Sequence, residues 1–287
     1  MTSPLSNCYI IVLLFHLKGQ SIMRVSTTRL EKEDAKIVYQ ETAGLAIITI
    51  RRPQAKNALT ANMWQQLKVI ALQTLQNPKN KVLMIRGYGE NFTAGSDIKE
   101  FHSISLDQAE AAFVAMEDTI ATIERLPLPT IAIINGPAMG AGLELALACD
   151  LRIGSEQAKL GIPVGKLGIT LNNKFAQRLV QLVGPSLTKD LVFTGRTLKM
   201  EEAYRVGMLN YTSSVDQLDR YAFRLGKLVA SMSPASLLAV KQSVQQCNDS
   251  APDLWTSSTP FVDHLDFPEG VRAFVEKRPA QFSRTIR

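Results

Sequence analysis

Residues 130–154 read TIAIINGPAMGAGLELALACDLRIG, and the order of apolar, glycine-rich and again apolar residues in this stretch sets the architecture. Thr130 to Ile134 is a short apolar, β-branched run, the pattern of a buried strand. A glycine-rich turn is expected from Gly136 to Gly142, then a short helix to Cys149. Leu151 to Gly154 is a further strand. Strand, turn, helix and strand within so few residues make a crossover unit, and the chain is therefore read as α/β with parallel strands.

The same alternation continues on the N-terminal side. Leu45 to Ile50 reads as a strand ended by Arg52-Pro53, and Ala61 to Gln76 carries Trp64, Leu67, Ala71 and Leu75 at helical spacing. Val82 to Arg86 is another strand and runs into Gly87-Tyr-Gly89. Ser105-x-x-Gln108 is a capping box opening a helix through Phe113, Met116, Ile120 and Ile123, which Pro127 and Pro129 stop. Beyond about residue 175 the signals are helical almost throughout. The expected division is an N-terminal extension (1–35), an α/β core (36–212) and a helical C-terminal region (213–287). Periodicity does not choose between a doubly wound sheet and a more coiled arrangement.

Composition excludes whole classes. Of 287 residues, 46% are hydrophobic and 20% charged, which rules out disordered, collagen-like and low-complexity chains. The net charge of +6 comes from scattered basic residues and fits an anionic small ligand at least as well as nucleic acid, so no nucleic-acid partner is expected. Cys8, Cys149 and Cys247 are far apart, as are His16, His102 and His264, so neither a disulfide framework nor a metal site is expected. A reducing, cytoplasmic setting follows. The apolar run Cys8 to Phe15 is shorter than the ~20 residues of a membrane helix. MTSPLSN ahead of it lacks Lys and Arg, so a misassigned or disordered start, with Met23 as the true beginning, is favoured over a targeting signal. No membrane association is expected.

The glycine turns are tested first as phosphate loops. Gly87-x-Gly89-x-x-Phe92 has Phe where a dinucleotide fingerprint needs its third glycine, and no GK[ST] follows either turn. What remains is a pair of strand-to-turn junctions, Phe92 to Lys99 and Asn135 to Glu144. Each places small residues where backbone N–H groups can face a ligand.

At these junctions the chain resembles the enoyl-CoA hydratase/isomerase (crotonase) superfamily. The resemblance rests on Arg52-Pro53-x-x-x-Asn57-Ala58-Leu59, FTAGSDIKE from Phe92 to Glu100, NGPAMGAGLE from Asn135 to Glu144, and the stretch from Asp266 to Phe282. It runs from about residue 36 to the C-terminus. It implies a crotonase-like spiral of ββα units, a helical trimerisation region, a homotrimer or dimer of trimers, and stabilisation of a thioester enolate. Coenzyme A would be part of the substrate, with no separate cofactor.

By the same resemblance the backbone N–H groups of Ser96 and Ala141 are the oxyanion-hole donors. Physical chemistry agrees for Ala141, which would sit at the start of the short helix, where unpaired amides favour negative charge. Glu144 lies three residues on, shares that helical face, and is the candidate acid/base. The competing reading of Glu144 is a carboxylate that only satisfies the helix dipole; its apolar neighbours Leu143, Leu145, Ala146 and Leu147 speak against a solvated face. Lys56, Ala58, Asp97, Ile98 and Lys99, together with Ser96 and Ala141, match the family's coenzyme A positions, and Lys277 and Arg278 match residues that reach its 3′-phosphate, sometimes in a neighbouring subunit. For each lysine the alternative is a solvated surface charge. Asp97 is expected to order the oxyanion turn, and His102 follows it as a lone histidine.

The chain departs from the family at Val164, where hydratases carry a second glutamate, and in the altered turn Gly168 to Phe175. One carboxylate is enough to move a proton between two carbons, so Val164 weakens hydration as the reaction. The expectation is an enoyl-CoA hydratase/isomerase-type enzyme with Glu144 as single acid/base. The alternatives are a decarboxylase or lyase acting on an acyl-CoA or acyl-carrier-protein thioester, with Thr170, Asn172 or Asn173 in polar contact, and a weakly catalytic CoA- or RNA-binding homologue.

Overall fold

The computed structural model describes residues 36–249, 266–278 and 280. The N-terminal extension and its apolar run lie outside the described residues. The elements in chain order are β1 (Lys36–Thr42), β2 (Leu45–Arg51), α1 (Ala61–Gln73), β3 (Val82–Gly87), α2 (Leu106–Glu124), β4 (Thr130–Ile134), β5 (Pro137–Met139) and α3 (Ala141–Leu147). They continue as β6 (Leu151–Ser155), β7 (Lys159–Gly161), α4 (Asn173–Thr194), β8 (Thr197–Lys199), α5 (Met200–Arg205), β9 (Tyr211–Ser213), α6 (Val215–Ala230), α7 (Pro234–Asp249) and α8 (Asp266–Glu276).

A six-stranded sheet runs in the order β1-β2-β3-β4-β6-β9. Only β1 and β2 pair antiparallel; the other neighbours are parallel. The near-continuous apolar strands have a simple cause. Alternate residues point to opposite faces, and both faces are covered. Ala46, Ile48, Leu83, Ile85, Ala132 and Ile134 enter the larger core with α1 and α2. Leu45, Val82, Met84, Ile131, Ile133 and Ile153 enter a second core closed by Leu218, Ala222 and Leu225 of α6. The first helix of the C-terminal region is thus a cover of the sheet.

Two expectations are corrected. The glycine-rich turn contains a strand, β5, and the part after residue 175 contains β8 and β9. These are three residues long. They exist because they pair, β5 with β7 and β7 with β8 in a second, three-stranded sheet and β9 at the edge of the first, and such pairing leaves no local periodicity to read. α4 is also broken: Gly184 has φ +75° and Pro185 follows, so its axis kinks there.

The helix α8 returns to the core. Phe267 packs edge-on against Phe101 and Phe113, with centroids 5.5 and 6.0 Å away, beside the 3-10 helical segment Ile98–Ser103. Among the described residues no helix is long and apolar enough to cross a membrane.

Candidate active site

The buried amide of Asn57 ties two loops together. It donates to the carbonyls of Tyr88 and Asn91, both at 2.8 Å, while its oxygen accepts from Arg52 N–H. From this anchor the segment Lys56–Leu59 is stitched to Thr93–Asp97. Ala94 N–H donates to Lys56 O, Leu59 N–H to Gly95 O, and Asp97 N–H to Leu59 O. Asp97 then accepts from Lys99 N–H and pairs with the Arg52 guanidinium at 2.7 Å, so its carboxylate is held within the turn.

This stitching leaves one amide over. Ser96 sits in a parallel bridge with Leu59, in which the flanking residues make the bonds. Its hydroxyl is engaged separately, accepting from Trp64 Nε1 and directed at Met116 Sδ. Ala141 is the first residue of α3, a position with no partner inside a helix. Among the described residues neither amide has a protein acceptor. The two turns touch: a Cβ added at Gly95 would stand 3.1 Å from Ala141 N.

Ser96, Ile98 and Ala141 all line one cavity of about 90 Å³, with Phe113, Met116, Val164, Leu167, Ile169, Thr170, Asn172 and Phe175. Glu144 lines it too. Its wall is mostly apolar, and Val164, where a second carboxylate was looked for, is buried in it. Lys56 and Lys99 are exposed on the flanking turns. Lys277 is exposed at the end of α8 with left-handed backbone, and no described contact ties it to the cavity. His102 is exposed and contributes nothing to the lining.

Sequence reading missed the group behind Glu144. Arg178 of α4 is buried and faces three carboxyl groups: Glu144 at 2.9 Å, Glu117 at 2.9 Å and Glu124 at 2.8 Å. Glu144 is itself 1% exposed. Burial, then the neighbouring Glu117 carboxyl, push Glu144 well above the usual carboxylate range, while Arg178 opposes them. Arg178 is lifted above its ordinary range by hydrogen bonds to Glu124 and Glu117, against the effect of its own burial. One guanidinium among three carboxyls agrees with the direction at Glu144: a single positive charge is divided among three acceptors, and the most buried of them gains proton affinity. Asn172 bridges the two regions. Its oxygen caps α4 by accepting from Phe175 N–H at 2.7 Å, and its amide lies 3.4 Å from Glu117 Oε2. The only signal for Glu117 and Glu124 was their seven-residue spacing, two turns apart on one face of α2.

A buried carboxyl of raised proton affinity lining an apolar cavity, beside two unused amides, defines a site able to exchange a proton with a small molecule whose oxygen takes up negative charge. The comparisons agree with that class. The profile of the enoyl-CoA hydratase/isomerase family matches residues 40–285. The chain is 33% identical to crotonyl-CoA hydratase of Syntrophomonas wolfei, covering 86% of this chain and 97% of that protein. It is 30% identical to mitochondrial methylglutaconyl-CoA hydratase of Mus musculus, covering 92% and 88%. Among solved structures, enoyl-CoA hydratase from Bacillus anthracis is similar with TM-score 0.69 and 29% identity, over 86% of this chain and 98% of that one. The chain belongs to the enoyl-CoA hydratase/isomerase family and is an enzyme of the crotonase fold.

Proposed function

We propose that the protein acts on an acyl-CoA thioester, holding the enolate oxygen with the N–H groups of Ser96 and Ala141 and moving the α-proton with Glu144. The observation that carries this reading is that both undonated amides and the buried carboxyl line the same cavity. Charge developing on the thioester oxygen is met by fixed amides in an apolar setting, where each such donor is worth roughly 10²–10³ in rate. Coenzyme A would lie along the turns that carry Lys56, Ala58, Asp97, Ile98 and Lys99, of which Lys56 and Lys99 are exposed and Ile98 lines the cavity, and Lys277 would meet its phosphates.

The test is turnover of trans-2-enoyl-CoA and 3-enoyl-CoA by the purified protein, followed by ultraviolet absorbance and mass spectrometry, beside Glu144→Gln. The expected result is hydration or double-bond migration in the wild type and a loss of about 10²–10⁴ in kcat in the variant. Unchanged turnover in Glu144→Gln would remove Glu144 from the mechanism.

A second reading has its own observation. Val164 leaves the cavity without a second carboxylate to hold an attacking water, whereas Glu144, its proton affinity raised by burial and by Glu117, is suited to quench an enolate formed by loss of carbon dioxide. Release of carbon dioxide from a malonyl-type thioester, with neither enoyl substrate turned over, would select it. We also take the assembly to be a trimer or a dimer of trimers. Light scattering should return one of those masses, and a monomer would refute it.

A further inference from the structure

Glu117 does not line the cavity; its α2 neighbours Phe113 and Met116 do. Its carboxyl stands beside that of Glu144 on Nη1 of Arg178, which also donates to Glu144 Oε1 at 2.9 Å. Glu117 takes Nη1 and Nη2 of Arg178 at 3.3 and 2.9 Å. Two turns further along α2, Glu124 takes Nε and Nη2 of the same guanidinium at 3.0 and 2.8 Å. Side-chain exposure rises along this row, from 1% at Glu144 to 15% at Glu117 and 32% at Glu124. An acyl chain filling the cavity covers Glu144 from the front, and the row behind it is then the way to water. The charged groups that bear on Glu144 are Glu117 of α2 and Arg178 of α4, with Glu124 on the far side of the guanidinium.

We propose that Glu117 is the proton partner of Glu144, sharing a hydrogen bond with it and returning a proton from solvent to it after each turnover, while Arg178 fixes both carboxyl groups. This rests on Glu144 being the acid/base. In hydration, the water oxygen bonds to the β-carbon and that water releases a proton to solvent. The enolate electron pair takes the proton of Glu144 to form the α-carbon C–H bond, leaving Glu144 as carboxylate and no net proton consumed. A proton from water adds to the Glu117 carboxylate and crosses the shared hydrogen bond to Glu144, which restores the starting state. Glu117 never touches substrate and is a positioning residue. The upward-pushed Glu144 carboxyl is what such a site maintains: burial, then the Glu117 carboxyl beside it, make its deprotonation costly.

The experiment uses the full chain with ¹³C at the glutamate carboxyl carbons, the Glu144 signal being assigned by its loss in Glu144→Gln. In Glu117→Gln the Glu144 titration midpoint is expected to fall by about one unit or more. The limb of the kcat–pH profile that Glu144 controls moves the same way, with kcat down about tenfold above the new midpoint and KM within about threefold of wild type. An unmoved midpoint in a folded Glu117→Gln protein overturns the proposal, as does a lowered melting temperature with an unmoved profile, which is what a purely structural glutamate would give. If Glu117→Gln does not fold, Glu117→Asp is read instead. It keeps the charge and shortens the reach, so the midpoint should stay near wild type while kcat falls; undiminished kcat overturns the proposal. The titration needs no turnover, so failure of the enoyl-thioester reading and failure of the proton partnership are told apart.

Discussion

At Gly95 the backbone has φ +88°, and a Cβ there would stand 2.7 Å from the Met139 carbonyl oxygen and 3.1 Å from Ala141 N. Both the left-handed conformation and the approach to α3 exclude a side chain. The two candidate oxyanion amides are neighbours because residue 95 has none. Gly95→Ala is therefore expected to separate them: kcat/KM should fall about 10²–10³-fold, with a destabilisation of ~1–3 kcal/mol from the strained backbone. Steady-state kinetics and thermal melts on one preparation check both. A variant that loses stability but keeps kcat/KM would show that the amides do not bind the developing charge. Cys149 illustrates the opposite case. Burial pushes its thiol up to about 12, so it is a packing residue and no nucleophile.

At the scale of elements, α8 decides how the cavity is closed. Gly270 lies so near the Leu167 backbone that an added Cβ would come within 2.3 Å of it, and Leu167 is a wall of the cavity. The helix is held there by the edge-on contacts of Phe267 with Phe101 and Phe113, which are themselves stacked at 4.8 Å. Gly270→Ala must lift α8 or displace Leu167. The expected outcome is a loss of ~1–3 kcal/mol from overpacking and a KM raised several-fold at a kcat within about twofold, since Glu144 and α3 are untouched. A kcat that collapses with unchanged KM would mean that the strain reaches α3 instead.

For the whole molecule, the buried carboxyl makes stability depend on pH with a definite sign. Glu144 is raised in the folded protein by burial and by Glu117, so the native state binds a proton that the unfolded chain has released. Its stabilising contribution is full below the ordinary glutamate range and is lost as pH rises through its raised value. The melting temperature of the wild type minus that of Glu144→Gln should accordingly be greatest in acid and decline toward alkaline pH. A difference that grew with pH would mean that Glu144 is held ionised against Arg178. The same balance bears on how three carboxyls gather on one guanidinium: the most buried of them has its proton affinity raised.

Much of this protein could be read along the chain. The strands β3, β4 and β6 of the main sheet show as short, mostly apolar runs of six residues or fewer. The capping box at Ser105 and Gln108 closes as drawn, each side chain accepting from the other's backbone N–H at 3.2 and 2.9 Å. Ser96, Ala141 and Glu144 could be singled out as candidates because each belongs to a short motif that carries the family resemblance, and the fold brings all three to one cavity. β5, β8 and β9 were not legible, since three residues gain a strand's conformation only from a partner. Arg178 was not legible either. Its carboxyl partners lie 34, 54 and 61 residues away on α3 and α2, and nothing near it in the chain marks which acids will close on it. Local interactions set the elements and the motif residues, whereas the raised proton affinity of Glu144 arises from the burial and the charges brought together when α2, α3 and α4 pack, and belongs to the folded molecule.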